Sequence, residues 1–390
     1  MSMPTAYPPL ALYVHLPWCV HKCPYCDFNS HERKGELPQQ RYVDALLEDL
    51  DLELGLLSAR ANLELSSVFI GGGTPSLFDP DQIARLLAGI RHRISIASPA
   101  EITMEANPGT MEAARYQGFR QAGITRLSLG VQSFDDDCLR RLGRIHDGAA
   151  ARRAAEHAAA AGFDSFNIDL MFGLPGQDIA GAMQDVRLAT ELSGGHISHY
   201  QLTLEPNTVF YRRPPPLPAD DDIALMQDRC AEVLAGAGYT RYEVSAWARS
   251  GLACRHNMNY WQFGDYLGIG AGAHGKLTVD GRILRRRRHR VPESWLQARP
   301  AQRVVASREV PQADLPLEFA MNSLRLPHGV PLRLFTERTG LPVSALLDPL
   351  ASAIDGGQLT IDNDTLHATP AGLEHLNEIL LPLVPEPADA

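Results

Sequence analysis

Before residue 205, six short apolar, β-branched runs alternate with longer segments of helical spacing, and this alternation constrains the fold more than any other feature. The strand-like runs are Leu12–Leu16, Ser67–Ile70, Ile102–Glu105, Arg126–Val131, Phe166–Met171 and Ser198–Leu204. Between them, Arg41–Ala59, Pro80–Arg93, Met111–Ala122, Asp135–Gly143, Gly148–Ala161 and Gln177–Leu192 have helical apolar spacing and little internal Gly or Pro. Such alternation implies an α/β protein whose strands run parallel and are joined by crossover helices. Six such units can curve into a partial barrel or lie open as a doubly wound sheet, and the spacing alone leaves both possible. Polar residues cluster just beyond the strands: three cysteines after the first, Gly71-Gly72-Gly73-Thr74-Pro75 after the second, and Glu105-Ala106-Asn107-Pro108 at the third. Gln132 follows the fourth and Gly173-Leu174-Pro175 the fifth. Parallel β/α folds bind ligands at the carboxyl ends of their strands, so these loops should converge on one site.

A hydrophobic content of 45% is enough for a large core and excludes a wholly disordered chain. With 36 Lys+Arg against 46 Asp+Glu the formal charge is −10, which argues against a general nucleic-acid binder. Neither a membrane-spanning apolar stretch nor a secretory signal is evident, so a cytoplasmic location is expected. After the sixth unit, a Pro-rich run at 213–218 precedes a further helix (Ile223–Ala237) and a strand-like Tyr239–Val244. We expect three regions: a barrel at 1–240, a linking segment at 241–309 with a Gly-rich loop (Leu267–Gly275), and a small domain at 310–390. In the last region, helices precede strand-like Gln358–Ile361 and Thr365–Ala368, turned by Asp362-Asn363-Asp364, and a helix at Ala371–Ile379 follows. That arrangement suggests a winged-helix-like appendage, with a frayed end from Pro382.

Three of the six cysteines (Cys19, Cys23 and Cys26) fall within eight positions, while Cys138, Cys230 and Cys254 are scattered. In a reducing compartment such a group suggests a metal or cluster site rather than disulfides. Structural zinc wants a fourth ligand, which His15, His21 or His31 could supply. Three thiolates alone suit a four-iron cluster with one iron left open to a small molecule.

Cys19-x-x-x-Cys23-x-x-Cys26, with Tyr25 before the last Cys, resembles the signature of radical S-adenosylmethionine (SAM) proteins, and Gly71–Pro75 resembles the family's second motif. The resemblance implies a partial (β/α)6 barrel holding a [4Fe-4S] cluster on Cys19, Cys23 and Cys26, whose open iron is chelated by SAM. A narrower resemblance, to the oxygen-independent coproporphyrinogen oxidase-like group, covers nearly the whole chain. It rests on Tyr13–Cys19, Gly71–Pro75, Glu105-x-Asn107-Pro108, Leu127–Phe134 and Asn167–Pro175. It implies SAM contacts from Tyr13, Tyr25, Gly72, Gly73, Thr74, Glu105, Gln132, Arg144, Asp169 and Thr203. Glu105 and Asp169 are carboxylates suited to ribose hydroxyls or an ammonium, and Arg144 can pair with a carboxylate.

One departure bears on activity. The oxidases resemble CxxxCxxCxC, whereas Phe28 stands at the position of the further Cys. This argues against a decarboxylating enzyme and towards the group's haem chaperone branch, which binds haem and passes it to apo-haemoproteins such as respiratory enzymes. The runner-up is coproporphyrinogen III dehydrogenation. His256-Asn257-Met258-Asn259-Tyr260-Trp261 resembles that branch's HNxxYW motif, which is linked to haem, so His256 is a candidate axial ligand. Cys254 is a lesser candidate. The run Arg285–Arg290 suggests a solvated arm; its alternative is electrostatic contact with anionic lipid at the membrane surface, an acidic acceptor or haem propionates.

Overall fold

The computed structural model describes residues 7–110 and 113–385. A 12-stranded sheet dominates it. The chain enters as β1 (Leu10–Leu16), passes through two-residue strands β2 (Trp18–Cys19) and β3 (His31–Glu32), and reaches helix α1 (Gln39–Gly55). There follow β4 (Glu64–Gly72), α2 (Pro80–Arg93), β5 (Ser95–Ala106), α3 (Ala113–Ala122), β6 (Arg126–Gln132), α4 (Asp136–Arg141), α5 (Gly148–Ala160), β7 (Ser165–Phe172), α6 (Ile179–Leu192) and β8 (His196–Gln201). The expected helix start at Met111 lies outside the described residues. Strands β1, β4, β5, β6, β7 and β8 pair in parallel in that order. They are almost wholly apolar along the faces that α1 to α6 cover, while alternate residues point to the other face, where many line a cavity. Asp135, Asp147 and Asp178 cap α4, α5 and α6, each side chain accepting a bond from the backbone N–H three residues on.

Beyond β8 come α7 (Val209–Arg212), α8 (Asp220–Gly236), β9 (Thr240–Glu243), β10 (Ala246–Ala248) and α9 (Arg255–Trp261). Strands β11 (Asp265–Ile269), β12 (His274–Val279), β13 (Arg282–Arg288) and β14 (Val304–Glu309) follow, with α10 (Pro292–Gln297) between the last two. The sheet order is β14-β13-β12-β11-β1-β4-β5-β6-β7-β8-β10-β9, so its two edges stay apart and the barrel is incomplete. β11 lies parallel to β1, while β12 to β14 continue antiparallel, which places residues 265–309 in the same sheet as the six units.

The basic run is not a solvated arm. It lies on β13, where alternate side chains face opposite sides of the sheet. Arg286 and Arg288 point inward and are buried against α1: Arg286 holds Glu53 at 2.8 Å, and Arg288 holds Glu53 at 2.7 Å and Asp49 at 3.2 Å. Arg285 pairs with Glu318, and Arg287 remains exposed. A second buried group, Asp265 with Arg60 (2.6 Å) and Lys276 (3.0 Å), ties β11 to β12.

The C-terminal region contains α11 (Leu315–Ser323), β15 (Val330–Pro331), α12 (Leu332–Thr339), α13 (Ser344–Asp355), β16 (Leu359–Asp362) and β17 (Thr365–Ala368). Its three strands form a sheet of order β15-β17-β16 over a core that includes Phe319, Phe335, Leu350 and Leu366. Asn363 and Asp364 turn the hairpin with φ of 48° and 63°, the double positive φ of a tight primed turn. The expected last helix is broken at His375 into Pro370–Glu374 and Leu376–Leu380. Met258 and Trp261 of α9 pack against this core, so α9 sits between it and the main sheet.

Candidate functional site

The loop carrying the three thiols is fixed from both sides. β2 and β3 pair across its base, and the Cys26 N–H bonds the Cys23 carbonyl at 3.1 Å, which closes the turn between them. Asn29 donates to the carbonyls of Ala271 (3.0 Å) and Arg290 (2.8 Å), so the Gly-rich segment buttresses the loop. On the other side the Gly73 N–H reaches the Leu16 carbonyl at 2.8 Å, and the Thr74 N–H reaches that of Trp18 at 2.7 Å. A Cβ on Gly73 would lie 2.6 Å from the Trp18 oxygen, and one on Gly72, whose φ is +123°, would lie 2.7 Å from the His15 ring. The glycines are thus required by packing against the cysteine loop as well as by any ligand.

Cys19, Cys23 and Cys26 all line one cavity of about 850 Å³, within the ~300–1,000 Å³ usual for cofactor sites. Cys19 is buried and the other two are half-buried. Burial pushes the thiols of Cys19 and Cys26 above their ordinary range, in part opposed by hydrogen bonds from Thr74 to Cys19 and from Ser30 to Cys26. Arg144 lies 3.6 Å from the Cys23 sulfur and donates to the Gly130 carbonyl at 2.6 Å, so a fixed positive charge stands beside that thiol. Three soft donors on a short loop, with a cation at hand and open space beyond, fit a cluster that needs anionic sulfur. No three His, Cys, Asp or Glu donors among the described residues gather closely enough to hold a single metal ion.

The expected SAM contacts Tyr25, Gly72, Gly73, Thr74, Glu105, Gln132, Arg144, Asp169 and Thr203 share this cavity with the thiols. The Glu105 carboxylate accepts the Gly72 N–H at 2.9 Å. Burial, opposed by that bond and assisted by the charge of Asp169, pushes its pKa up to about 7. Asp169 accepts from Ser128 (3.0 Å) and Asn167 (2.7 Å); burial raises its pKa against those bonds. Gln132 ends β6 at a φ of 70°, and its side-chain oxygen accepts from the Tyr200 hydroxyl at 2.7 Å. A non-glycine residue held there at a cost of about 1–3 kcal/mol is typical of a binding position.

Two expected residues are not in the cavity wall. Tyr13 stands behind it, its hydroxyl 3.0 Å from His15 Nδ1 and its ring stacked on Phe69. His256 lies on α9, buried, with Nδ1 3.0 Å from the Ser67 hydroxyl and Nε2 2.9 Å from that of Tyr260. Both ring nitrogens are therefore engaged inside the protein. Burial, with Arg126 adding to it, lowers the His256 pKa to about 3, so the ring is neutral. From the same motif it is Asn257 and Trp261 that line the cavity. Cys254 is buried, with its sulfur 3.4 Å from Glu101.

The cavity wall also holds residues that the sequence did not single out: Arg126, Asn167, His196, Tyr200, Glu243 and Arg325. All but Arg325 sit on the sheet strands β6 to β9, and Arg325, just beyond α11, brings the C-terminal region into the wall. Inward-facing strand positions are the only signal that could have found them.

The fold and the thiol-lined cavity define a class. A radical SAM superfamily model matches residues 13–189, and a HemN C-terminal domain model matches residues 310–375. In structure the chain is similar to the coproporphyrinogen III oxidase HemN of Escherichia coli, a radical SAM enzyme, with a TM-score of 0.81 over 97% of this chain and 90% of that one. At 23% identity this likeness concerns the fold. Within the class the relatives are more specific. The chain is 49% identical over 374 residues to the heme chaperone HemW of Escherichia coli, covering 96% of this chain and 97% of that protein. It is 48% identical over 375 residues to that of Haemophilus influenzae. The chain belongs to the HemW family of the radical SAM superfamily.

Proposed function

We propose that this protein is a haem chaperone: it binds haem and transfers it to apo-haemoproteins, and it carries a [4Fe-4S] cluster on Cys19, Cys23 and Cys26 with SAM beside it. The HemW relatives, named for that activity and 49% identical over nearly the whole chain, support the assignment. The observation that carries it on this chain is Phe28, two residues past Cys26. It is 61% exposed and lines the mouth of the cavity where the oxidase pattern requires a further thiol. A phenyl ring offers neither a proton nor a sulfur ligand, but it presents a flat apolar face to a macrocycle.

When bound, the cluster with SAM would supply one-electron chemistry and a charged guest that alters the cavity. The chain's own residues do the rest. Arg144 holds positive charge at Cys23, and Glu105 offers a carboxylate to an ammonium group. Gly72 and Gly73 let the backbone approach closely, and Gln132 and Asp169 present acceptors along the strand ends. Trp261 and Asn257 line the part of the cavity formed by α9, where a second, larger guest can lie. Among the described residues no helix is long and apolar enough to cross a membrane, and we propose that transfer takes place in the cytoplasm, with membrane-bound acceptors approached from outside the bilayer.

The test is anaerobic reconstitution followed by separate additions of hemin and coproporphyrinogen III. A shifted Soret band with hemin and no protoporphyrinogen from the second substrate support the proposal. Conversion of coproporphyrinogen III without a Soret shift would replace it with the dehydrogenase reading.

A further inference from the structure

Three arginines line the cavity, and they differ in what they hold. Arg144 is bonded to the Gly130 carbonyl and to the Cys23 sulfur. Arg325 forms an ion pair with Glu243 at 3.0 Å and lies over the Trp261 ring at 4.4 Å. Arg126 has no ion pair among the described residues, is only 3% exposed, and its Nε lacks any hydrogen-bond partner. The neighbouring carboxylates are already engaged. Glu101 accepts from the Arg255 and His256 N–H groups (3.1 and 3.2 Å) and from the Cys254 sulfur, and Asp169 accepts from Ser128 and Asn167. The imidazoles near Arg126, His196 and His256, are held neutral, largely by burial. Burial disfavours the charge of Arg126, and the nearby Glu101 and Asp169 offset that without bonding it, so the guanidinium stays charged and able to form charge-assisted, bidentate bonds with an anion that enters.

Its position says which part of a guest it meets. Arg126 begins β6 and Gln132 ends it, so their backbones stand about 20 Å apart along a strand of ~3.3 Å per residue. Gln132 belongs to the cysteine end of the cavity, and Arg126 to the end closed by α9, whose first N–H groups Glu101 caps.

We propose that Arg126 is a binding residue for a carboxylate of the cavity's guest, and that this carboxylate is a haem propionate. The inference rests on the haem reading above, and the other source of the same chemistry is the carboxylate of SAM. The bidentate guanidinium–carboxylate pair forms at the α9 end while the macrocycle extends towards Trp261 and the cavity mouth.

The test titrates the reconstituted protein with hemin, with hemin dimethyl ester (whose propionates carry no charge) and with SAM, in wild type, Arg126→Met and Arg126→Lys. The expected result is that wild type prefers hemin to its diester by about tenfold or more, the scale of a hydrogen bond to a charged group. Arg126→Met should lose that preference, Arg126→Lys should keep most of it, and SAM binding should not move. If Arg126→Met weakens SAM and leaves hemin unchanged, the site takes a carboxylate but the guest is SAM. Equal binding of hemin and diester by wild type, with SAM binding the same in wild type and Arg126→Met, overturns the inference while leaving the haem reading intact. So does an equal weakening of hemin and diester by Arg126→Met, which marks a structural residue. Failure of wild type to bind either porphyrin removes the haem reading itself. The wild-type comparison decides the propionate claim even if Arg126→Met does not fold.

Discussion

At the scale of single residues, the site is set by close approach and by buried charge. Gly73 has no room for a methyl group against the Trp18 oxygen. Gly73→Ala is therefore expected to cost about 1–3 kcal/mol, as overpacking does, and to lower iron incorporation because the cysteine loop must shift. Urea denaturation and iron and sulfide analysis after anaerobic reconstitution check both effects; an unchanged midpoint would show that the loop relaxes freely. Cys23→Ala should abolish cluster assembly, leaving no iron–sulfur absorbance after the same procedure. Glu105 gives a pH dependence whose sign follows from its environment. Folding raises the carboxyl from its ordinary 4.5 to about 7, so its favourable contribution is complete below 4.5 and lost as pH rises through 7. Glu105→Gln should match wild type near pH 4.5 and exceed its stability by about 1–3 kcal/mol at pH 8, measured by urea denaturation at the two pH values. The cavity's motif residues were legible from the sequence, because a thiol triplet has few other uses and gives meaning to a glycine run that by itself reads as a plain turn. Arg126 was not: an arginine at the start of a strand looks like any surface cation until the sheet closes around it.

At the scale of elements, helix boundaries followed local chemistry closely. Helix α2 occupies Pro80–Arg93 as expected, since Pro80 opens it and the β-branched Ile94 begins the turn into β5. The hairpin of β16 and β17 was equally plain from its Asp-Asn-Asp turn. The basic strand was not, because four consecutive arginines carry no apolar period, and the carboxylates that bury two of them belong to α1, more than 200 residues earlier. This pairing makes a strong prediction. Arg288 is fully buried between Asp49 and Glu53, so Arg288→Met leaves Asp49 without its cation and Glu53 with Arg286 alone, and should destabilise the protein by about 3–5 kcal/mol. Arg287→Met, on the exposed side of the same strand, should change stability by less than about 0.5 kcal/mol. Equal effects in chemical denaturation would mean that the β13–α1 contact is not what holds this edge. His256 makes the same point on α9. Its motif was visible, yet the partners of its ring nitrogens, Ser67 and Tyr260, emerge only once α9 packs on β4.

At the scale of the whole molecule, the parallel α/β order and the gathering of strand-end loops followed from alternation alone. Closure did not, because β11, which extends the sheet past β1, lies in a Gly-rich stretch and takes its register from β1 itself, and β13 beyond it is a run of arginines. The result is an incomplete barrel with α9 packed against β1, β4 and β11 and the C-terminal region ion-paired to β13 and β9 near its two edges, Arg325 reaching into the cavity. A site built from both regions suits a carrier that takes up a guest and yields it again. The most direct measurement is hand-over. Haem-loaded, cluster-reconstituted protein is mixed with the apo form of a haem-dependent respiratory enzyme, and recovery of that enzyme's activity is followed over time. The account predicts recovery faster than from an equal amount of free hemin, with haem lost from the chaperone at the same rate. Recovery no faster than from free hemin, with the porphyrin still bound to this protein, would contradict it.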